Sequence, residues 1–140
     1  MPSKALVVDA NILVRAVLGR RVRGLIETYN GEISFLVPEP ALAEAEEHLT
    51  SLVVKHRGDP AKAENLLRSL TRFMEIISPD VYAEFEVEAR ERLAERDPED
   101  WPMLACALAF RCPIWTEDTD FFGCGVTTWT SDRVGIFLQE

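Results

Sequence analysis

The sequence predicts an α/β fold in three layers, a mostly parallel central sheet with helices on both faces. Three observations carry that expectation. Short β-branched apolar runs alternate with segments of helical period, the pattern of parallel strands joined by crossover helices. The first run, Lys4-Ala5-Leu6-Val7-Val8, breaks on a carboxylate, Asp9, before apolar character resumes at helical spacing. A second run, Pro113-Ile114-Trp115-Thr116, ends the same way, on Glu117-Asp118-Thr119-Asp120. In an open α/β sheet the carboxyl ends of the strands face a crevice where ligands bind, so acids at two strand ends are candidates for one site.

A chain of 140 residues reads as a single domain, 1–140, large enough to bury roughly two-thirds of its unfolded surface. Hydrophobic residues make up 47% of it but fall in short runs, so no membrane-spanning segment is expected. The run Ala5 to Val8 is too short for the core of a signal peptide, and a cytoplasmic location follows as the expectation. Cys106, Cys112 and Cys124 are odd in number, share no CxxC spacing and sit among apolar residues. They read as buried small hydrophobes, with no disulfide and no zinc site. The net charge of −9 is awkward for a nucleic-acid binder, whose affinity comes from cationic side chains that displace counterions. Either carboxylates are concentrated in a pocket that a cation neutralises, or the acidity is that of an ordinary soluble protein.

Asn11 to Leu18 and Val22 to Tyr29 read as two helical pieces, parted by Gly19 and closed by Asn30-Gly31. Arg15, Arg20, Arg21 and Arg23 cluster here, as a solvated face or as a phosphate track beside the acids. Ile33 to Val37 is a second strand, stopped by Pro38-Glu39-Pro40 because proline cannot donate to a ladder. From about Pro40 to Lys55 a helix buries a stripe of Leu42, Ala45, Leu49, Leu52 and Val53. Glu44, Glu46 and Glu47 lie in its opening turns, where the helix dipole alone favours acids. A turn at Arg57-Gly58-Asp59-Pro60 starts the next helix, with Ala63, Leu66, Leu67, Leu70 and Phe73-Met74 on its apolar face. Glu75 to Ser78 is a third short strand. Ser78-Pro79-Asp80 opens a charged helix through about Ala94, with Val81, Phe85, Val87 and Leu93 as its buried positions.

Asp97-Pro98-Glu99-Asp100 leads into a further helix. Proline costs about 3 kcal/mol in a helix interior but is tolerated in the first turn, so Pro102 places the start just before it with Asp100 as N-cap. Asp100 is then either a cap alone or a ligand on a rigid mount. Met103, Leu104, Ala107 and Leu108 form the buried face of this helix. Pro113 to Thr116 is the fourth strand, Gly125 to Thr130 an edge-like last strand, and Ser131-Asp132-Arg133 begins a terminal helix through Leu138.

Several carboxylates brought together repel one another, and each makes the next ionisation harder unless a cation is present. All-oxygen ligands select Mg²⁺ or Mn²⁺ over zinc, and His48 and His56, far from the acids in sequence, are assigned to surface or packing. No serine, cysteine or histidine arrangement resembles a nucleophile with its base. The attacking group is therefore expected to be a water made hydroxide-like by the metal, and the substrate that suits this chemistry is a phosphodiester. Thr116 or Thr119 would orient water or a ligand carboxylate, and Asn11 would do the same for Asp9.

Val8-Asp9-Ala10-Asn11, the helix with Leu42-Ala43-Glu44, Asp97-Pro98-Glu99-Asp100-Trp101-Pro102 before an alanine-rich helix, and Ile114-Trp115-Thr116-Glu117-Asp118-Thr119-Asp120-Phe121 together resemble the PIN-domain nucleases. The resemblance spans nearly the whole chain in order. It implies a PIN-like, Rossmann-like sheet and a Mg²⁺- or Mn²⁺-dependent endoribonuclease whose site acids fall on Asp9, Glu44, Asp100 and Asp118, with Asp120 as an additional or water-mediated ligand. Stand-alone members of this size include many VapC-type toxins, which implies a homodimer, an RNA substrate and a small antitoxin that can place a basic side chain in the acidic pocket. On a helical wheel Glu46 lies beside the stripe of Leu42 and Leu49 and Glu44 nearly opposite, so the residues alone leave both open. The resemblance selects Glu44. Asp97 competes in the same way with Asp100, which the Pro102 argument favours.

Three other readings compete. A haloacid-dehalogenase-like phosphatase also starts from an Asp after a central strand but places a second Asp two residues on, where this chain has Asn11. A receiver-type domain would want an acidic pair there and a lysine near the last strand. A catalytically weak PIN-like module that binds RNA or protein would have lost site acids, whereas all four positions carry them. The sequence also predicts that Asp9→Asn, by relieving repulsion, stabilises the metal-free fold slightly.

Overall fold

Five strands form one sheet in the computed structural model, which describes residues 4–140; the first three residues of the expected domain lie outside the described residues. The strands are β1 (Lys4–Val8), β2 (Ile33–Pro38), β3 (Met74–Ile77), β4 (Ile114–Trp115) and β5 (Thr128–Trp129), ordered β3-β2-β1-β4-β5. Every ladder is parallel, where the sequence predicted a mostly parallel sheet. β1 is central, and its Leu6, Val7 and Val8 are fully buried, as a strand covered on both faces requires.

From β1 the chain builds outward through β2 to β3, then returns to lay β4 on the other side of β1. At such a reversal the loops leaving the two strands diverge and open a crevice. Val8 is in register with Trp115, so Asp9 and Thr116, the next residues of each strand, stand together at that opening.

On one side pack α1 (Ala10–Leu18), α2 (Arg21–Tyr29), α3 (Glu39–Lys55) and α4 (Pro60–Thr71), each in contact with α1. On the other, α5 (Pro79–Tyr82) and α6 (Glu86–Arg92) support α7 (Trp101–Phe110), which lies against β1, β2 and β4. α8 (Val134–Gln139) closes the chain, tied back by Lys4 Nζ, which donates to the Phe137 carbonyl at 2.7 Å.

The helix expected from Ser78 to Ala94 is broken. A 3₁₀ turn, Ala83–Phe85, separates α5 from α6. Val81 and Val87 are exposed, at 44% and 70%, while Tyr82, Ala89 and Leu93 are buried. Val81 and Phe85 are one turn apart but Val87 falls off their face, whereas Tyr82, Ala89 and Leu93, at i, i+7 and i+11, share one face. The Tyr82 ring meets Trp101 edge-on at 5.8 Å, which fixes α5 against α7.

All three cysteines are buried. Burial pushes the Cys106 and Cys112 thiols up to about 12, which leaves them unreactive at neutral pH. Of the arginine cluster, Arg23 donates to the Ala16 and Val17 carbonyls near the end of α1 and Arg21 to the Ser131 carbonyl, so those two are tied to the framework. No helix among the described residues is long and apolar enough to cross a membrane.

Candidate active site

Asp9 ends β1 and caps α1, and that double position fixes its carboxylate. Oδ1 accepts the Ala10 N–H at 2.8 Å, while Oδ2 accepts the Thr116 hydroxyl at 2.6 Å and Asn11 Nδ2 at 3.0 Å. Burial pushes the Asp9 carboxyl above its usual range, the donors from Thr116, Ala10 and Asn11 pull it back, and the Asp118 charge raises it again. Asn11 and Thr116, expected as supporting residues, both serve as donors here. Thr119 does not: it is exposed, and it is its carbonyl that accepts, from Arg96.

Thr116 joins two acids. Its buried hydroxyl donates to Asp9 and accepts the Asp118 N–H at 2.9 Å, so both strand ends share one oxygen. Asp118 in turn caps the 3₁₀ turn Thr119–Phe121 through the Asp120 N–H at 2.9 Å. Glu117 points elsewhere, accepting the Ser131 N–H at 2.7 Å.

A cavity of about 330 Å³ opens beside this network, lined by Asp9, Asn11, Glu44, His48, Asp97, Asp100 and Asp118 among others. The expected quartet Asp9, Glu44, Asp100 and Asp118 therefore faces one space. Glu46 does not. It lines a separate groove of about 530 Å³ between α3 and α4. The buried stripe of α3 is Ala41, Ala45 and Leu49, with Leu42 only half-buried. At 3.6 residues per turn, Glu44 and Glu46 flank that stripe on opposite sides, each about 100° from its centre. The helical wheel built on leucines misplaced the stripe because it undercounted alanine.

His48 was missed. It lies one turn beyond Glu44 on α3, at the same cavity. Burial pushes the Glu44 carboxyl up, the charge of Asp9 adds to that, and His48 opposes it. The i, i+4 spacing from Glu44 was the signal available in the sequence.

The turn before α7 settles how Asp97 and Asp100 differ. Asp97 spends one oxygen on the Glu99 N–H at 3.1 Å, capping the 3₁₀ turn Pro98–Asp100. Asp100 occupies the N-cap position of α7 yet makes no side-chain capping bond, so the cap-only account of it fails. Burial and the charges of Asp97, Asp118, Asp9 and Glu44 push its carboxyl up to about 7. The two are also not exclusive. Asp97, Asp100 and Asp120 each place an oxygen within 4.8 Å of the others, the one such group of three among the described residues.

Oxygen donors gathered from separate segments, with the Asp9, Glu44 and Asp100 carboxyls raised, fit a hard divalent cation. With a divalent cation held by these acids, the cavity would neutralise a phosphate and orient water; the carboxylates alone would repel it.

An all-parallel sheet of this order, with carboxylates gathered where the strand order reverses, defines a Rossmann-like protein with an acid-lined crevice. The family model described as PIN domain matches residues 7–139, and the chain belongs to that family. No curated protein matches the chain. Among solved structures it is similar to VapBC2 from Rickettsia felis bound to a DNA fragment from their promoter, with a TM-score of 0.71 and 16% identity over 90% of this chain and 98% of that one. It is similar also to FitAcB from Neisseria gonorrhoeae, with a TM-score of 0.66 and 17% identity over 90% and 97% of the two chains. A toxin-antitoxin complex from Klebsiella pneumoniae is a third, with a TM-score of 0.62 and 20% identity over the same shares, 90% and 97%. At these identities the likeness is one of fold.

Proposed function

We propose that the protein is a Mg²⁺- or Mn²⁺-dependent endoribonuclease of the VapC toxin type. The observation that carries the reading is the convergence of Asp9, Glu44, Asp100 and Asp118 on one cavity from four separate parts of the chain. Asp9, Asp100 and Asp118 would hold the cation, with Glu44, Asp97 and Asp120 completing the set. A bound divalent ion supplies charge neutralisation for the phosphodiester and lowers the pKa of water. Thr116 and Asn11 aim Asp9 and favour its charged form against burial, and Thr116 ties Asp118 to it. Glu44, its carboxyl raised by burial and by Asp9, is suited to take a proton from the attacking water.

The phosphatase alternative is disfavoured by Asn11. The position that would need a second carboxylate holds an amide committed to Asp9, to Thr116 and to the Glu117 N–H at 3.2 Å. A small antitoxin as partner draws support from the toxin-antitoxin complex and VapBC2 among the matched structures, and a homodimer is part of the same proposal.

The test is incubation of the purified protein with RNA in Mg²⁺, in Mn²⁺ and in excess EDTA, followed by sequencing of the cut ends. Cleavage in either ion alone supports the reading. Equal cleavage in EDTA would overturn it.

A further inference from the structure

The acids that approach most closely sit on two loops, and both loops lean on one helix. Arg90 of α6 pairs with Glu99 at 3.5 Å and covers the Trp101 ring at 5.4 Å, which holds the turn of Asp97 and Asp100. Arg92 Nη1 donates to the Cys124 carbonyl at 3.1 Å, and Arg96 Nη1, just past the helix, donates to the Thr119 carbonyl at 3.1 Å. Arg92, Arg96 and Asp120 all border a second cavity of about 320 Å³.

The Arg96 contact falls on a particular peptide unit. The plane joining Thr119 to Asp120 has its carbonyl held by Arg96 and its N–H held by Asp118 at 2.9 Å. A peptide gripped at both ends cannot rotate without breaking one bond, so the direction in which the Asp120 side chain leaves the backbone is set by Asp118 within the acid site and by Arg96 outside it. At the far end of the loop Gly125 has φ +91°, and a Cβ there would come within 2.6 Å of Arg92 Nη1. A side chain at this position would therefore push the Arg92 guanidinium from its place and strain the positive φ.

We propose that Arg92 and Arg96 are positioning residues, latching the 119–125 loop to α6 and so keeping Asp120 beside Asp97 and Asp100. The consequence for cation affinity rests on the reading of the previous subsection. The latch itself does not.

Two measurements separate them. Cys124 is buried within the loop, while Cys106 is fully buried in α7 and reports global opening. In the double variant Arg92→Ala with Arg96→Ala, alkylation of Cys124 by iodoacetamide should quicken roughly tenfold while Cys106 stays protected, and Mn²⁺ should bind roughly threefold to tenfold more weakly. Arg96→Lys keeps a donor and should restore most of the Mn²⁺ affinity that Arg96→Ala loses. Arg68→Ala, which removes an exposed pair on α4, should change neither reading. Unchanged Cys124 labelling in the double variant overturns the proposal, as does faster labelling with unaltered Mn²⁺ affinity, or exposure of Cys106 in step with Cys124. If the wild-type chain binds no Mn²⁺, the cation reading falls, and the Cys124 rate alone decides the latch.

Discussion

On the strand-end wall of the acid cavity Asp9 accepts three hydrogen bonds, and the Thr116 hydroxyl makes one as donor and two as acceptor. On the helical wall, Asp100 and Glu44 accept no side-chain hydrogen bond among the described residues, and both carboxyls are pushed up by burial and by the other acids. The difference is one of timing. Donors that belong to the fold offset part of what burial costs the Asp9 charge, whereas Asp100, without such donors, would need a counter-ion for the same relief. One wall is set by folding; on the proposed reading the other is completed by a cation.

The largest expected effect breaks the strand-end wall. Asp9→Asn should reduce RNA cleavage by about two orders of magnitude or more, since even the loss of an outer partner of a metal ligand costs tenfold to a hundredfold. It should also destabilise the metal-free protein by about 1–2 kcal/mol, because an amide nitrogen would face one of the N–H groups that the carboxylate now accepts. This reverses the stabilisation that repulsion alone suggests. A urea titration in EDTA checks it, and a more stable variant would mean that charge relief outweighs the lost hydrogen bonds.

Asp100→Asn should do the opposite to stability. Its carboxyl, at about 7 when folded, binds a proton more tightly than in the unfolded chain, where it keeps the ordinary aspartate value of 3.8. The stability that the protonated form contributes is thus fully present below about pH 4 and declines as pH rises toward about 7. In EDTA the variant should melt a few degrees higher than the wild type at pH 8 and at about the same temperature near pH 4. Mn²⁺ affinity of the wild type should climb between pH 5.5 and 7.5 as the cation displaces that proton, and the variant should lose both the affinity and most of the climb. Calorimetric titration at those pH values measures this.

The smallest effect is the sharpest control. Glu46→Gln, in the groove between α3 and α4, should leave Mn²⁺ affinity unchanged and stability within about 0.5 kcal/mol, while Glu44→Gln weakens the cation site. Equal losses from both would erase the distinction between the two sides of α3.

Much of the fold and part of the site were legible in the sequence. Alternation of strand and helix, the acids at two strand ends, and the helix start before Pro102 are local signals, carried by period-2 and period-3.6 patterning and by proline's missing N–H. Asp9 and Asp118 were visible for that reason, as were Asn11 and Thr116 beside them. What the chain order did not encode is sidedness. Glu44 and Glu46 flank one buried stripe symmetrically, and only the neighbours, β1 and α7 on one side and α4 on the other, tell them apart. The broken helix at Ala83–Phe85, the approach of Asp120 to Asp97 and Asp100, and the reach of Arg92 and Arg96 across to the last loop likewise depend on how separate segments pack. Distances between charges on different elements decide which carboxylates share a proton or a cation, and those distances exist only once the chain has folded.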